Sequence, residues 1–231
     1  MSLYNREDEY IKLLSVRDHS VKELSEILFI SEPTVRRDIV IMKEKNLVSC
    51  KRGVVHLEAG SPDRRIPIFV RDLENRDQKM IVAKKAAEHI RDGNVIMLDA
   101  STSAYCLLSY LGEFKNLFVI TSGAKTAITL ATMGIRTLCI GGELAMESFS
   151  FIGTDAEETL SKYNADIAFV ACRGLTEDGL VTDTSIRENS VRKIMIKNSA
   201  KSYLLCDKSK IGNRYLNTLC NVKELDGVIT D

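Results

Sequence analysis

A chain of 231 residues is long enough for one or two domains with a substantial buried core, which argues against wholesale disorder. Its 32 Lys and Arg balance 32 Asp and Glu, and 28% charged with 45% hydrophobic residues is ordinary globular composition. A uniformly basic coat and an acidic tail are both excluded, so any basic surface for nucleic acid must be local.

The first residues, 1–9, are too polar for a signal peptide, and no apolar run reaches the roughly 18 to 20 residues that a bilayer requires. A cytoplasmic protein with no membrane partner is expected. Tyr10, Ile11 and Leu14 form one helical stripe, and Val21, Leu24, Ile27 and Leu28 form a second at spacings of three and four. Ser20 followed by Glu23 is a capping box that opens the second helix, and Phe29-Ile30 breaks it. A third helix begins at Ser31-Glu32-Pro33, with a capping serine, an acid at the positive end of the dipole and a proline tolerated in the first turn. Val35, Ile39 and Met42 mark its apolar face.

The opposite face offers Thr34, Arg36, Arg37 and Lys43, beginning at the end that a helix-turn-helix directs into the major groove. Two short apolar runs, residues 47–50 and 54–57, then flank the basic turn Lys51-Arg52-Gly53, a wing. Residues 1–30 carry 4 basic and 6 acidic side chains, whereas residues 31–52 carry 6 and 3. The zero net charge therefore conceals a basic reading helix and wing, and Ser31, Thr34, Arg36, Arg37, Lys43, Lys51 and Arg52 are the candidate DNA contacts.

Residues 58–74 read as a linker, with two of the chain's 3 prolines between Ser61 and Pro67. The organisation is thus 1–57, a winged helix-turn-helix; 58–74, a linker; and 75–231, an α/β domain. In the last of these, apolar strands at 95–98, 117–120, 136–140, 167–171, 203–206 and 228–229 alternate with helical segments. One of these segments includes Ala83, Ala86, Ala87 and Ile90, and another runs from about 190 to 198. That alternation predicts a parallel, Rossmann-like sheet covered on both faces.

In such sheets ligands sit beyond the carboxyl ends of the strands. There the sequence repeatedly places small polar residues: Asp99, Ser101, Thr102 and Ser103 after the first strand, Thr121, Ser122 and Gly123 after the second, Gly141, Gly142 and Glu143 after the third. Asp207, Lys208, Ser209 and Lys210 follow the fifth. Exposed amides at helix starts, hydroxyls and a lysine suit an anion. Arg173 adds a cation, while Asp99, Glu143 and Glu188 are acceptors for sugar hydroxyls. The 6 cysteines lack metal spacing and read as buried free thiols, and the 3 histidines as ordinary structural or surface residues; no metal or cofactor is expected.

These residues resemble the DeoR family of bacterial transcriptional repressors over essentially the whole chain. The N-terminal resemblance lies in Ser20-Val21-Lys22-Glu23-Leu24-Ser25 and in residues 30–39, Ile-Ser-Glu-Pro-Thr-Val-Arg-Arg-Asp-Ile. The C-terminal one lies in residues 98–103, 141–144, 166–170 and 179–183, in Glu188 with Lys193, and in residues 207–212. The resemblance implies a sugar-phosphate-sensing domain similar in fold to phosphosugar isomerases, with double-stranded operator DNA and a phosphorylated sugar as partners. It also implies a homodimer or homotetramer that represses a carbohydrate-metabolism operon. The wing departs from the family's usual His-Gly-Gly-Ala run, and family members usually continue beyond Asp231. The competing reading is a phosphosugar isomerase or deaminase with an appended regulatory module, using Asp99 or Glu188 as base.

Overall fold

The computed structural model describes residues 3–44, 47–57 and 68–231. These divide into two compact units, one comprising residues 3–57 with Phe69–Glu74, the other Ile68 with Asn75–Asp231. Residues 58–67, the proline-containing part of the expected linker, lie outside the described residues. The rest of that segment is not extended: Ile68–Leu73 forms a helix.

The first unit runs α1 (Leu3–Val16), β1 (His19–Ser20), α2 (Val21–Leu28), α3 (Glu32–Glu44), β2 (Val48–Lys51), β3 (Val54–Leu57) and α4 (Ile68–Leu73). Both sides of the Ser20–Glu23 capping box are made: the Glu23 amide donates to Ser20 Oγ at 3.2 Å and the Ser20 amide to Glu23 Oε2 at 2.7 Å. Phe29, at φ 53, ends α2 in the left-handed region. The helix ends where the sequence suggests, but its buried stripe is shorter than the spacing implies. Val21 and Leu24 are buried, but Ile27 is 41% exposed. Tyr10, Ile11 and Leu14 of α1 close the core with Val35, Ile39 and Met42 of α3.

Strands β2 and β3 pair antiparallel with Lys51 opposite Val54. Only Arg52 and Gly53 remain in the turn, at φ 50 and 79, the two positive values that a tight primed hairpin turn requires. Lys51 thus ends a strand, and Arg52 occupies the tip. Strand β1, not anticipated from the sequence, adds to β3 through His19 and Val55.

The second unit contains α5 (Arg76–Ala87), β4 (Val95–Leu98), α6 (Thr102–Leu111), β5 (Phe118–Thr121), α7 (Ala124–Thr132) and β6 (Arg136–Cys139). A hairpin follows, β7 (Glu143–Ala145) and β8 (Ser150–Ile152), then α8 (Thr154–Ser161), β9 (Ala165–Ala171), β10 (Gly174–Leu175), β11 (Leu180–Asp183) and α9 (Ile186–Lys197). The chain closes with β12 (Ser199–Leu205), β13 (Asn217–Asn221) and β14 (Gly227–Ile229). The principal sheet is parallel, in the order β14-β12-β9-β4-β5-β6. Alternate strand residues feed different cores: Ile96 and Leu98 pack with Leu107 and Phe169, Met97 with Val170, Val191 and Leu204. Burial on both faces is why these strands read as continuous apolar runs. A smaller antiparallel sheet, β10-β11-β13, and the β7-β8 hairpin were not legible as strands.

Chain order moves outward from β4 through β5 to β6, then resumes at β9 on the other side of β4. The topological switch point therefore lies between β4 and β9, where open α/β sheets bind their ligands.

Candidate functional site

In the first unit, α2, the turn at Phe29 and α3 present Arg36, Arg37 and Lys43 to solvent. Ser31 Oγ accepts the Thr34 amide at 3.4 Å and lies 2.9 Å from Thr34 Oγ1, so these two residues cap α3 together. Arg36 is braced by Glu32 one turn earlier at 3.3 Å; an exposed pair of this kind is worth little and leaves the guanidinium available. Lys51 and Arg52 are exposed at the hairpin tip, which the Gly53 carbonyl ties to α2 by accepting the Val21 amide at 3.1 Å.

The orientation of α3 depends on a group that sequence reading overlooked. Asp38 lies on the inner face of the helix, 1% exposed. It accepts from Arg6 Nε at 2.9 Å, Arg6 Nη2 at 3.3 Å and Tyr10 Oη at 3.3 Å. An aspartate between Arg37 and Ile39 reads as solvent-facing unless its distant partners are known. Burial and the neighbouring Asp38 charge push the Tyr10 hydroxyl well above its ordinary range.

In the second unit, the strand-end loops are stitched together. The Ser122 amide donates to the Leu98 carbonyl at 3.3 Å, and the Phe151 amide of β8 to the Ser122 carbonyl at 2.7 Å. Thr121 Oγ1 accepts the Gly123 amide at 3.0 Å. A side chain on Gly123 would meet Thr126 Oγ1 at 2.8 Å and Ala100 Cα at 3.2 Å, so this close approach of the β4 and β5 loops favours glycine. Ser101 Oγ caps α6 by accepting the Ala104 amide at 3.0 Å. From the far loop, Lys210 Nζ donates to Ser103 Oγ at 3.3 Å and lies 3.2 Å from Asp207 Oδ2. Although burial works the other way, Lys210 and Ser209 hold the Asp207 carboxyl below its usual range.

The predicted acceptors behave differently from expectation. Asp99 is 1% exposed and engaged by the protein itself: Oδ1 accepts the Ser101 amide at 3.0 Å, and Oδ2 accepts the Ala171 amide at 3.0 Å and Arg192 Nε at 2.8 Å. It bridges β4 to β9 beneath the switch point. Glu188 is in the first turn of α9 rather than mid-helix, and accepts from Ser148 Oγ at 2.9 Å and Arg192 Nη2 at 3.1 Å. Glu143 is exposed and paired with Arg187 at 2.7 Å. Gly141 and Gly142 have φ of 71 and 102; a side chain on Gly142 would strike the Ile152 carbonyl at 2.9 Å, which accounts for this glycine by packing alone. Arg173, half-buried at the end of β9, has no hydrogen-bond or ion-pair partner for its guanidinium among the described residues.

The centre of this region is Arg192, 3% exposed. Besides Asp99 and Glu188, its guanidinium donates from Nη1 to Asp183 Oδ2 at 2.9 Å and Asn189 Oδ1 at 3.0 Å. Burial opposes the charges of this cluster, but Arg192, Arg173 and the Thr184 and Ser185 amides keep the Asp183 carboxyl below its ordinary range. The sequence reading passed over Arg192, although Glu188 to Arg192 is an i, i+4 spacing that could have found the pair; the convergence of Asp99 and Asp183 was not readable. The cysteine reading holds in part: Cys106, Cys172, Cys206 and Cys220 are buried, whereas Cys50 and Cys139 are only half-buried. His19 is buried, His56 pairs with Asp18 at 2.8 Å and His89 stacks on Tyr203.

A winged helix-turn-helix joined to an α/β domain whose polar loops gather at the switch point of its sheet defines the class of a DNA-binding transcriptional regulator with a sensor. Two family models match, the DeoR-like helix-turn-helix domain over residues 6–58 and the DeoR C terminal sensor domain over residues 74–231. The chain belongs to the DeoR family. An uncharacterized HTH-type transcriptional regulator of Bacillus subtilis is 31% identical over 100% of this chain and 90% of its own length. The lactose phosphotransferase system repressor of Staphylococcus epidermidis is 29% identical over 100% and 93%, and the glycerol-3-phosphate regulon repressor of Escherichia coli 27% over 100% and 92%. Among solved structures, translation initiation factor eIF-2B from Pyrococcus horikoshii matches with a TM-score of 0.52 and 16% identity, over 99% of this chain and 88% of that one, a likeness of fold alone. The family assignment favours transcriptional repression over the isomerase reading. No helix among the described residues is long and apolar enough to cross a membrane.

Proposed function

We propose that this chain is a cytoplasmic repressor of a carbohydrate-metabolism operon that releases its operator when a phosphorylated sugar binds at the strand ends. Residues 1–57 are the DNA-binding module, 58–74 the connection and 75–231 the effector domain. The observation that carries the reading is Lys210 Nζ beside Ser103 Oγ at the open end of α6. With the amides of Ala104 and Tyr105 taken by the capping Ser101, those of Thr102 and Ser103 are oriented to serve a phosphate. Ser122, Gly123 and Arg173 complete the cradle. Asp99, Thr121 and Glu188 support its shape, and Gly141, Gly142 and Glu143 form its margin. Two relatives named for a sugar phosphotransferase system and a phosphorylated polyol fit this ligand class.

On the DNA side, Arg36 and Arg37 engage the major groove with Ser31, Thr34 and Lys43, while Lys51 and Arg52 hold phosphates. Two contacts tie the segment joining the modules to the effector loops: the Ile68 amide donates to the Glu147 carbonyl at 2.8 Å, and Asn75 Nδ2 to Ser209 Oγ at 2.9 Å. A ligand drawing on Lys210 moves Ser209 with it. Coupling of about 1 to 3 kcal/mol suffices to change operator affinity 5- to 150-fold. A homodimer or homotetramer matches the two-fold symmetry of paired half-sites.

The test is fluorescence anisotropy on the native promoter region with a panel of sugar phosphates. One of them should release the wild type, and Lys210→Ala should keep operator affinity while losing the response. Release of both proteins alike would remove Lys210 from the site; turnover of a sugar phosphate would revive the enzyme reading.

A further inference from the structure

Strands β9 and β12 are parallel neighbours in register up to Ala171 opposite Leu205, so the next residues on each, Cys172 and Cys206, face one another. Their sulfurs are 3.9 Å apart, with the Cys172 thiol donating to Cys206 Sγ. Adjacent strands lie roughly 4.7–4.9 Å apart, inside the Cα separation of about 4.4–6.8 Å that a disulfide spans. A modest approach of the two sulfurs to about 2.05 Å would complete the bond.

The environment favours this pair over Cys139 and Cys220. The hydrogen bond from Cys172, with help from the Lys210 charge, lowers the Cys206 thiol below its ordinary range. Burial pushes Cys220 up to about 12 and raises Cys139 as well. A thiolate is the species that attacks an oxidant, so oxidation should begin at Cys206, with Cys172 already in contact to resolve it.

We propose that Cys172 and Cys206 are a redox modification site, forming a reversible disulfide under hydroperoxide that alters the loop carrying Lys210. The Cys206 thiolate attacks one peroxide oxygen and the O–O bond breaks, giving a sulfenic acid and, with one proton, a first water. Cys172 sulfur then attacks the sulfenic sulfur; the S–O bond breaks and the second water leaves with the Cys172 proton. Two thiols are oxidised and one hydrogen peroxide is reduced to two waters. Disulfides of this kind in reducing compartments are transient and sensory rather than structural. Drawing Cys172 toward Cys206 shifts Arg173 and Asp207, their chain neighbours, and so the Lys210 that pairs with Asp207.

The experiment exposes the reduced full-length chain to hydrogen peroxide, removes the peroxide, unfolds the chain in urea while blocking remaining thiols with iodoacetamide, and maps peptides by mass spectrometry. A peptide pair joined through Cys172 and Cys206 is expected, lighter by two hydrogens and separated by dithiothreitol, with the other four cysteines alkylated. Cys172→Ser should lose the cross-link. Alkylation of all 6 cysteines in the peroxide-treated wild type, or a cross-link through any other pair, would overturn the site, with no dependence on whether the variant folds. Hydrogen exchange of the wild type should show slowed amides across residues 207–213 after oxidation; unchanged exchange there would overturn the effect on the loop. Neither readout requires a sugar phosphate, so their failure leaves the effector assignment standing.

Discussion

The two units each bury an arginine–carboxylate cluster, but on different scales. In the DNA-binding unit a single aspartate, Asp38, is met by Arg6 and Tyr10, and Arg6 keeps one side toward solvent. In the sensor unit Arg192 is enclosed by Asp99, Asp183 and Glu188. The small cluster orients one helix; the large one holds together the β4 loop, β11 and α9. Both contrast with Arg36, whose guanidinium is largely exposed. Arg192, which sets geometry, is buried and saturated, whereas Arg36, proposed to meet DNA, stands in water where its partner can be exchanged.

The largest effect should come from Arg192→Met, which strands three carboxylates. Breaking one partner out of a buried ionic cluster costs about 3–5 kcal/mol, to be read as a lower urea midpoint for the sensor transition. Stability equal to wild type would show that the cluster is not what organises the cleft. Asp38→Ala is expected to cost about 1–3 kcal/mol, since it leaves the Tyr10 hydroxyl and Arg6 without their acceptor, and to weaken operator binding through α3 although Asp38 lies on the buried face of that helix. Arg36→Ala should lower operator affinity by about 1–3 kcal/mol with altered sequence preference if it reads a base, or uniformly with a shallower salt slope if it holds a phosphate; little change in the urea midpoint would separate it from Asp38→Ala. Ser20→Ala should cost about 1 kcal/mol through loss of the cap.

The smallest effect is a pH dependence. The Ser20 amide and hydroxyl, with Arg17, lower the Glu23 carboxyl to about 2. A depressed folded-state value means that its stabilising contribution is present above the unfolded value near 4 and disappears as pH falls toward 2. Acid titration of unfolding should therefore be less steep between those limits in Glu23→Gln.

Much of the architecture was legible because burial imposes strong patterns. The strands of the parallel sheet are apolar on both faces, and the Ser20–Glu23 spacing marks a helix start without tertiary information. Strands β7 and β11 failed to register because Glu143-Leu144-Ala145 and Leu180-Val181-Thr182-Asp183 are short and partly polar. Ile27 misled because helical spacing gives the face a residue lies on, not how far the neighbouring elements reach to cover it. The candidate site was half visible: Ser103 and Lys210, which the fold brings together, are both singled out by their positions after strands, but Asp99 looked like a ligand acceptor and is consumed by Ala171, Ser101 and Arg192. A carboxylate's type is written in the chain, while its vacancy depends on partners 72 and 93 residues away.

Ile68 and Asn75 belong to the sensor unit, while Phe69–Glu74 between them belong to the other. Each is hydrogen-bonded within the sensor unit, Ile68 to the Glu147 carbonyl and Asn75 to Ser209 Oγ. The short stretch from 68 to 75 thus has both of its ends held by sensor loops, and its length limits how far those two loops can part.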